Sequence, residues 1–377
     1  MKEITNLQKD MLKEYGLDAL VTMTPENITY VTGTQIPTQV TVRSREVIHI
    51  VTMQNDPVVI VVNIEEPLMR MQSWMPQESI ISYNEFTQSP IFLAIEKLKE
   101  YGMENKKIGM ELSYLPTTDM EIIKKELPHA EIVNADPVYE RMRLIKMDFE
   151  IERIMDLGSK IEEVIYTGFR TVREGMTEKD LYNVLVKGFN DIGGDKMSVP
   201  MVASGERSCL LNGEPTDRVM KKGDIVRVDM MGIKNNYYCD CCRTAVVGEP
   251  EERHINIYSK LVQAHDDTIA RMKPGISTKY VYDEFLKQFT AWGFDPIAFV
   301  GHGLGLTLHE EPYINPYKET ILQENMVLCV EPIHVIDGEC GYQVENEVLI
   351  TKDGCKMITG TKYPYDRLPV IAGGHAK

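Results

Sequence analysis

Four acidic residues stand where an acid is costly, in or beside short apolar runs. Asp229 lies in Ile225-Val-Arg-Val-Asp-Met230 and Asp240 ends Tyr237-Tyr-Cys-Asp240. Glu331 follows Met326-Val-Leu-Cys-Val330, and Glu345 follows Gly341-Tyr-Gln-Val344. Each pair fits a strand–turn–strand pattern. Folding the first about positions 234–235 sets Asp229 opposite Asp240, and folding the second about Gly338 sets Glu331 opposite Glu345. Directly opposed residues of an antiparallel ladder share a face, with Cβ atoms about 4.5–5.5 Å apart. Two like charges about 4 Å apart repel by about 4 kcal/mol at an effective dielectric of ~20. Such carboxyls must hold protons or be neutralised by cations. His302, in Gly301-His-Gly-Leu-Gly305, favours cations. Four carboxylates and one imidazole suit two divalent ions of the Mn, Co, Zn or Fe type. The competing interpretation makes the acids solvated edge charges and His302 a turn residue.

The elements that carry these residues occur twice, which favours the site. Gly175-Met-Thr-Glu-Lys-Asp-Leu-Tyr-Asn-Val-Leu-Val-Lys-Gly-Phe189 precedes Gly275-Ile-Ser-Thr-Lys-Tyr-Val-Tyr-Asp-Glu-Phe-Leu-Lys-Gln-Phe289 by 100 residues and matches it at Gly, Lys, Tyr, Lys and Phe. Each copy reads as an amphipathic helix capped by Thr177 or Ser277. Each ends near a glycine, Gly193-Gly194 or Gly293, and leads to a strand, Met201-Val-Ala-Ser-Gly205 or Phe299-Val-Gly-His-Gly303. Glu331 lies 102 residues after Asp229 and Glu345 lies 105 after Asp240, so the acid pairs occupy equivalent places in two halves.

Upstream, helix and strand patterns alternate. Residues 4–15 read as an amphipathic helix, 18–23 as a buried strand, and 46–53 with 57–62 as a hairpin through Asn55-Asp56-Pro57. Short strands at 107–112 and 131–134 flank a helix that starts near Pro116. This predicts an α/β domain over about 1–135, a break at Asp136-Pro137, a long helix over 147–172, and a second domain over about 148–365. A chain of 377 residues exceeds the roughly 250–300 at which one core stops growing, so two domains are expected. With 57 acidic against 41 basic residues the net charge is -16, which reads against a nucleic-acid partner. No apolar run approaches the roughly 20 residues that span a bilayer, so no membrane partner is expected. The opening Met1-Lys-Glu-Ile-Thr5 reads against a secretory leader. Seven cysteines without a spacing framework suit a reducing, cytoplasmic setting.

These residues resemble the pita-bread metallohydrolase superfamily of prolidase, aminopeptidase P and creatinase. The matching segments are Gly223-Asp-Ile-Val-Arg-Val-Asp229, Tyr238-Cys-Asp-Cys-Cys-Arg-Thr244, Gly301-His-Gly-Leu-Gly305, His309-Glu-Glu-Pro312, Val330-Glu-Pro332 and Val344-Glu-Asn346. Gly16-Leu-Asp-Ala-Leu20, Pro25-Glu-Asn-Ile-Thr-Tyr30 and Thr32-Gly33 look like the start of a creatinase/prolidase N-domain, which methionine aminopeptidase lacks. The resemblance implies a duplicated, pseudo-twofold α+β catalytic domain behind that N-domain. It implies Asp229, Asp240, His302, Glu331 and Glu345 as ligands of two divalent ions, with Asp240 and Glu345 bridging. It also implies Glu331 as proton shuttle, His309 as the residue facing the tetrahedral intermediate, and a homodimer. The expected reaction is hydrolysis of an amide-type C–N bond, with an Xaa-Pro dipeptide or short peptide as substrate.

Two positions depart from the family pattern. Asn212 stands where a histidine is usual, and Gln343, two before the last ligand, stands where aminopeptidase P-type enzymes carry arginine. Amides hydrogen-bond but supply neither a proton nor a positive charge. A creatinase- or ectoine hydrolase-like small-molecule hydrolase, or a lyase, is therefore the alternative, and a metal-free binding protein a more distant one. Arg207 could anchor a substrate carboxylate or form a surface ion pair. Cys242 and Cys329 share a strand face with ligands and read as small apolar neighbours.

Overall fold

The computed structural model describes residues 2–42, 44–198 and 201–373. The chain divides into two compact units, Met1–Arg143 and Leu144–Lys377.

The first unit is built on a six-stranded mixed sheet. Its order is Ile80–Tyr83, Val58–Val62, Ile48–Thr52, Ala19–Thr22, Lys107–Met110, Glu131–Asn134. The expected hairpin forms, with Ile48–Thr52 antiparallel to Val58–Val62. Alternate side chains feed two cores. Val21, Ile48, Ile50 and Ile60 pack with Ile91, Ala94 and Leu98 of the helix Pro90–Glu100, while Val59 and Val61 pack with Ile28 and Met69 on the other face. The edge strand Ile80–Tyr83 has no counterpart in the sequence reading. Four residues including a serine show too little alternation to stand out.

The second unit contains the repeat. The long helix Asp148–Thr171 packs on the helix Glu178–Asp191, and Glu252–Arg271 packs on Thr278–Ala291. Thr177 and Ser277 cap the repeated helices, accepting from the backbone N–H of Asp180 and Tyr280. Equivalent backbone bonds follow in both halves. Gly175 N–H donates to Met220 and Gly275 N–H to Leu322, each at 2.9 Å. Thr177 bridges Val219 as Ser277 bridges Ile321.

Two five-stranded sheets result. In the first, Ile225–Lys234 and Tyr237–Val247 form the central antiparallel pair. In the second, Val327–Val330 lies between Gly301–Gly303 and Asn346–Thr351. Ile333–Ile336 and Cys340–Gln343 form a separate hairpin.

The first acidic hairpin differs from its expected register. Asn235 and Asn236, with φ of 50° and 71°, make a two-residue turn of the kind that matches strand twist. Lys234 therefore pairs with Tyr237, Asp229 lies opposite Cys242, and Asp240 lies opposite Met231. A slip of two residues keeps every side chain on its face, so Asp229 and Asp240 remain diagonal neighbours on one side of the sheet. The second hairpin folds about Gly338 as expected, with Ile333 opposite Gln343.

Candidate metal centre

Alternation along the strands separates the site from the core. Val226, Val228 and Met230 point into one apolar cluster with Cys239 and Cys241. Arg227, Asp229, Asp240 and Cys242 consequently share the opposite face. In the second half Leu328, Val330, Val344 and Val348 enter the other apolar cluster, which leaves Cys329, Glu331, Glu345 and Glu347 turned away from it. Glu331 and Glu345 stand where the chain leaves one ladder for the next. Their backbone N–H groups donate to Val300 at 2.9 Å and Cys242 at 3.2 Å, the latter bond joining the two halves.

His302 completes the cluster and is fully buried. It requires glycine on both sides, because a Cβ at Gly301 would lie 2.3 Å from the Cys329 carbonyl and one at Gly303 would lie 2.3 Å from the Glu311 carbonyl. Its Nδ1 lies 2.9 Å from the Gly303 carbonyl. A carbonyl only accepts, so Nδ1 carries the proton and Nε2 presents its lone pair. That nitrogen stands 3.4 Å from Glu331 Oε1, 4.0 Å from Asp240 Oδ2 and 4.0 Å from Glu345 Oε1.

Among the described residues, Asp229 Oδ1, Asp240 Oδ1, His302 Nε2, Glu331 Oε1 and both Glu345 carboxylate oxygens are buried without a hydrogen-bond partner. Buried polar atoms left in that state cost free energy. Burial, then repulsion from Asp229, pushes the Asp240 carboxyl well above its ordinary range. Burial followed by Asp240 does the same to Glu345, and burial followed by Asp229 raises Glu331 to about 8. Burial and then His309 lower His302 to about 3, so its ring is neutral. Carboxyls that burial and mutual repulsion keep from ionising unaided, set around a neutral imidazole nitrogen, fit divalent cations that would compensate their charge. Ligand atoms of Asp240, His302, Cys329 and Glu345 lie within 4.8 Å of one another, as do those of His302, His309 and Glu331.

The substrate-side expectations fare unevenly. His309 is exposed and stacks on His302, with Phe299 and Tyr313 edge-on or tilted around it. Gln343 is buried, with Oε1 accepting from Arg227 at 2.9 Å and Nε2 donating to Glu331 Oε2 at 3.1 Å. Both ends of its amide are engaged inside the protein. Asn212 is exposed in a turn after Leu211. Arg207 forms an ion pair with buried Glu178 at 3.2 Å and donates to the Glu214 carbonyl at 2.7 Å, so its guanidinium is held within the fold.

Three supporting residues escaped the sequence reading. Arg227 and Arg243 are buried in their strands, and Glu347 accepts the backbone N–H of Asp240. Arg243 donates to the Glu345 carbonyl, Glu162 and Asn346 at 2.6–2.7 Å, fixing the chain at the last acid. Their signal was present: a lone charge inside an otherwise apolar strand needs a buried partner.

The family model of metallopeptidase family M24 matches residues 152–352, and that of the creatinase/prolidase N-terminal domain matches 4–145. An Xaa-Pro dipeptidase of Pyrococcus horikoshii is 30% identical over 79% of this chain and 82% of its own. An Xaa-Pro dipeptidase of Pyrococcus furiosus is 28% identical over 96% of this chain and 99% of its own. The solved prolidase of Pyrococcus furiosus superposes with a TM-score of 0.79 at 27% identity, covering 94% of this chain and 99% of that one. The duplicated unit therefore has the pita-bread fold, the donor set suits the divalent ions that such enzymes use, and the chain belongs to metallopeptidase family M24, a hydrolase carrying a creatinase/prolidase N-terminal domain.

Proposed function

We propose that the chain is an Xaa-Pro dipeptidase in which Asp229, Asp240, His302, Glu331 and Glu345 hold two divalent ions, manganese first among the candidates. The observation that carries this reading is the convergence of orphaned, buried ligand atoms from both halves on His302 Nε2. Both Pyrococcus relatives carry the name Xaa-Pro dipeptidase, which gives the substrate class. Two divalent charges would offset the four carboxylate charges of Asp229, Asp240, Glu331 and Glu345.

Divalent ions in this position supply Lewis acidity to the scissile carbonyl and make a water molecule more acidic. The chain's own residues do the rest. Glu331, its Oε2 held by Gln343, takes the water proton and passes it to the leaving nitrogen. His309 is exposed as a residue, but its ring is partly desolvated where it stacks on His302. This lowers its pKa, so the neutral ring donates a hydrogen bond to the carbonyl oxygen as charge develops there. Half-exposed Phe299 and Tyr313 flank His309 and offer an apolar wall for a prolyl ring. Asn212 contributes an amide at the substrate side, and Arg207 serves the fold.

Residues 1–135 act as the N-terminal domain and 148–365 as the catalytic one. Seven free thiols fit a reducing cytoplasm, and a homodimer is the assembly to test by light scattering. Small-molecule C–N hydrolysis is the second reading, favoured by one feature: neither Asn212 nor Gln343 offers a charge to a peptide terminus. The manganese-loaded enzyme, assayed on Xaa-Pro dipeptides beside creatine-like and ectoine-like compounds, separates the two. Values of kcat/KM near 10⁴ M⁻¹s⁻¹ or above, roughly the lower bound of ordinary enzymes, support the dipeptidase. Absence of cleavage across the dipeptide panel overturns it.

A further inference from the structure

Arg227 stands on the same strand face as Asp229, two residues before it, and is 1% exposed. A guanidinium buried so deeply is tolerated only where acceptors surround it. Here the acceptors come from several pieces of chain. Nη1 donates to Gln343 Oε1 at 2.9 Å and lies 3.5 Å from Asp229 Oδ2. Nη2 donates to the carbonyls of Leu210, at 2.6 Å, and Leu211, and Nε donates to Ser208 at 3.4 Å.

The amide of Gln343 turns this into a directional relay. A guanidinium only donates, so the amide oxygen faces Arg227 and the amide nitrogen must face the other way. That nitrogen meets Glu331 Oε2 at 3.1 Å, while Glu331 Oε1 points toward His302 without a hydrogen bond. The orientation of the Glu331 carboxylate thus depends on Arg227, which does not touch it. The same guanidinium holds the two carbonyls just before Asn212, in the turn that presents that residue.

We propose that Arg227 is the positioning residue of this centre: it aims Glu331 through Gln343 and anchors the turn that carries Asn212. The inference rests on the proposed metal-dependent function. Lysine is no substitute, because a point charge with three donors cannot reproduce a planar fork to acceptors on three segments.

The test is a double-mutant cycle on the full chain with Arg227→Lys, Gln343→Leu and the pair. Manganese(II) is titrated calorimetrically into the metal-stripped proteins, and kcat and KM are measured on a cleaved dipeptide. Each single change should weaken manganese binding and lower kcat by roughly 5- to 150-fold, the usual effect of losing a buried hydrogen-bond partner. The pair should lose no more than the worse single change, because both break one relay. KM should rise only where Arg227 is replaced, since that change alone frees the Asn212 turn. Additive losses overturn the proposal, as does Gln343→Leu with unaltered manganese binding and kcat. Should Arg227→Lys fail to fold, Gln343→Leu alone decides. If no dipeptide is cleaved, the substrate assignment has failed, and the manganese titration still decides the relay.

Discussion

The rings of His302 and His309 stack with centroids 3.6 Å apart and planes 11° from parallel. One is buried, the other exposed, and both have lowered pKa values. Two cations in face contact would repel, so the stack disfavours protonation of both rings together. The pairing divides the labour: His302 presents a lone pair to the acidic cluster, and His309 extends the same column to where a substrate would lie.

That division predicts different losses. His309→Ala should retain its metal and lose turnover by roughly 10²–10³-fold, the effect of removing one oxyanion donor. Asp240→Ala should lose bound metal as well as activity. Elemental analysis of both proteins checks this, and retention of metal by Asp240→Ala alone would reverse the assignments.

Chelation should destabilise the second unit, because its acids then repel without neutralising charge. Ligand at 100 times its dissociation constant stabilises by about 2.7 kcal/mol. At roughly 2–4 °C per kcal/mol for a unit of this size, melting should fall by several degrees and recover with manganese. Calorimetry with and without chelator measures it.

Gly158 lies against the acid that holds Asp240. A Cβ there would fall 2.3 Å from Glu347 Oε2 and 2.7 Å from Ile358 Cγ2. Gly158→Ala should therefore cost about 1–3 kcal/mol by overpacking and loosen Asp240, whose N–H the same carboxyl accepts. A lower melting point with weaker metal binding is the expected pair of results. Unchanged metal affinity would separate Glu347 from the centre.

His49, fully buried in the first unit, has its pKa lowered to about 3 by burial. The folded ring stays neutral while the unfolded one gains a proton below about 6.5. Its contribution is therefore fully present above pH 6.5 and lost as the pH falls toward 3. Over that interval the loss amounts to a few kcal/mol, on the order of 1.4 per pH unit. His49→Gln should lose less stability than the parent protein on acidification. Hydrogen exchange of the strand Ile48–Thr52 at pH 7 and pH 4.5 reads the difference.

Much of this molecule was determined by sequence alone, because the determinants are local. Thr177 and Ser277 cap helices whose apolar stripes repeat, and an acid inside an apolar strand marks a site wherever the strand lies. Spacing between the halves then placed Asp229 with Glu331 and Asp240 with Glu345. Tertiary structure decided what depends on contacts between distant segments. The register of the first hairpin followed from positive φ at both Asn235 and Asn236, which moved Asp229 from Asp240 to Cys242 without changing its face. The convergence of both hairpins on His302 required two sheets to meet, as through the bond from Glu345 to Cys242. The use made of Arg227 and Gln343 was equally invisible, since residues 116 positions apart acquire a shared hydrogen bond only when the chain is folded.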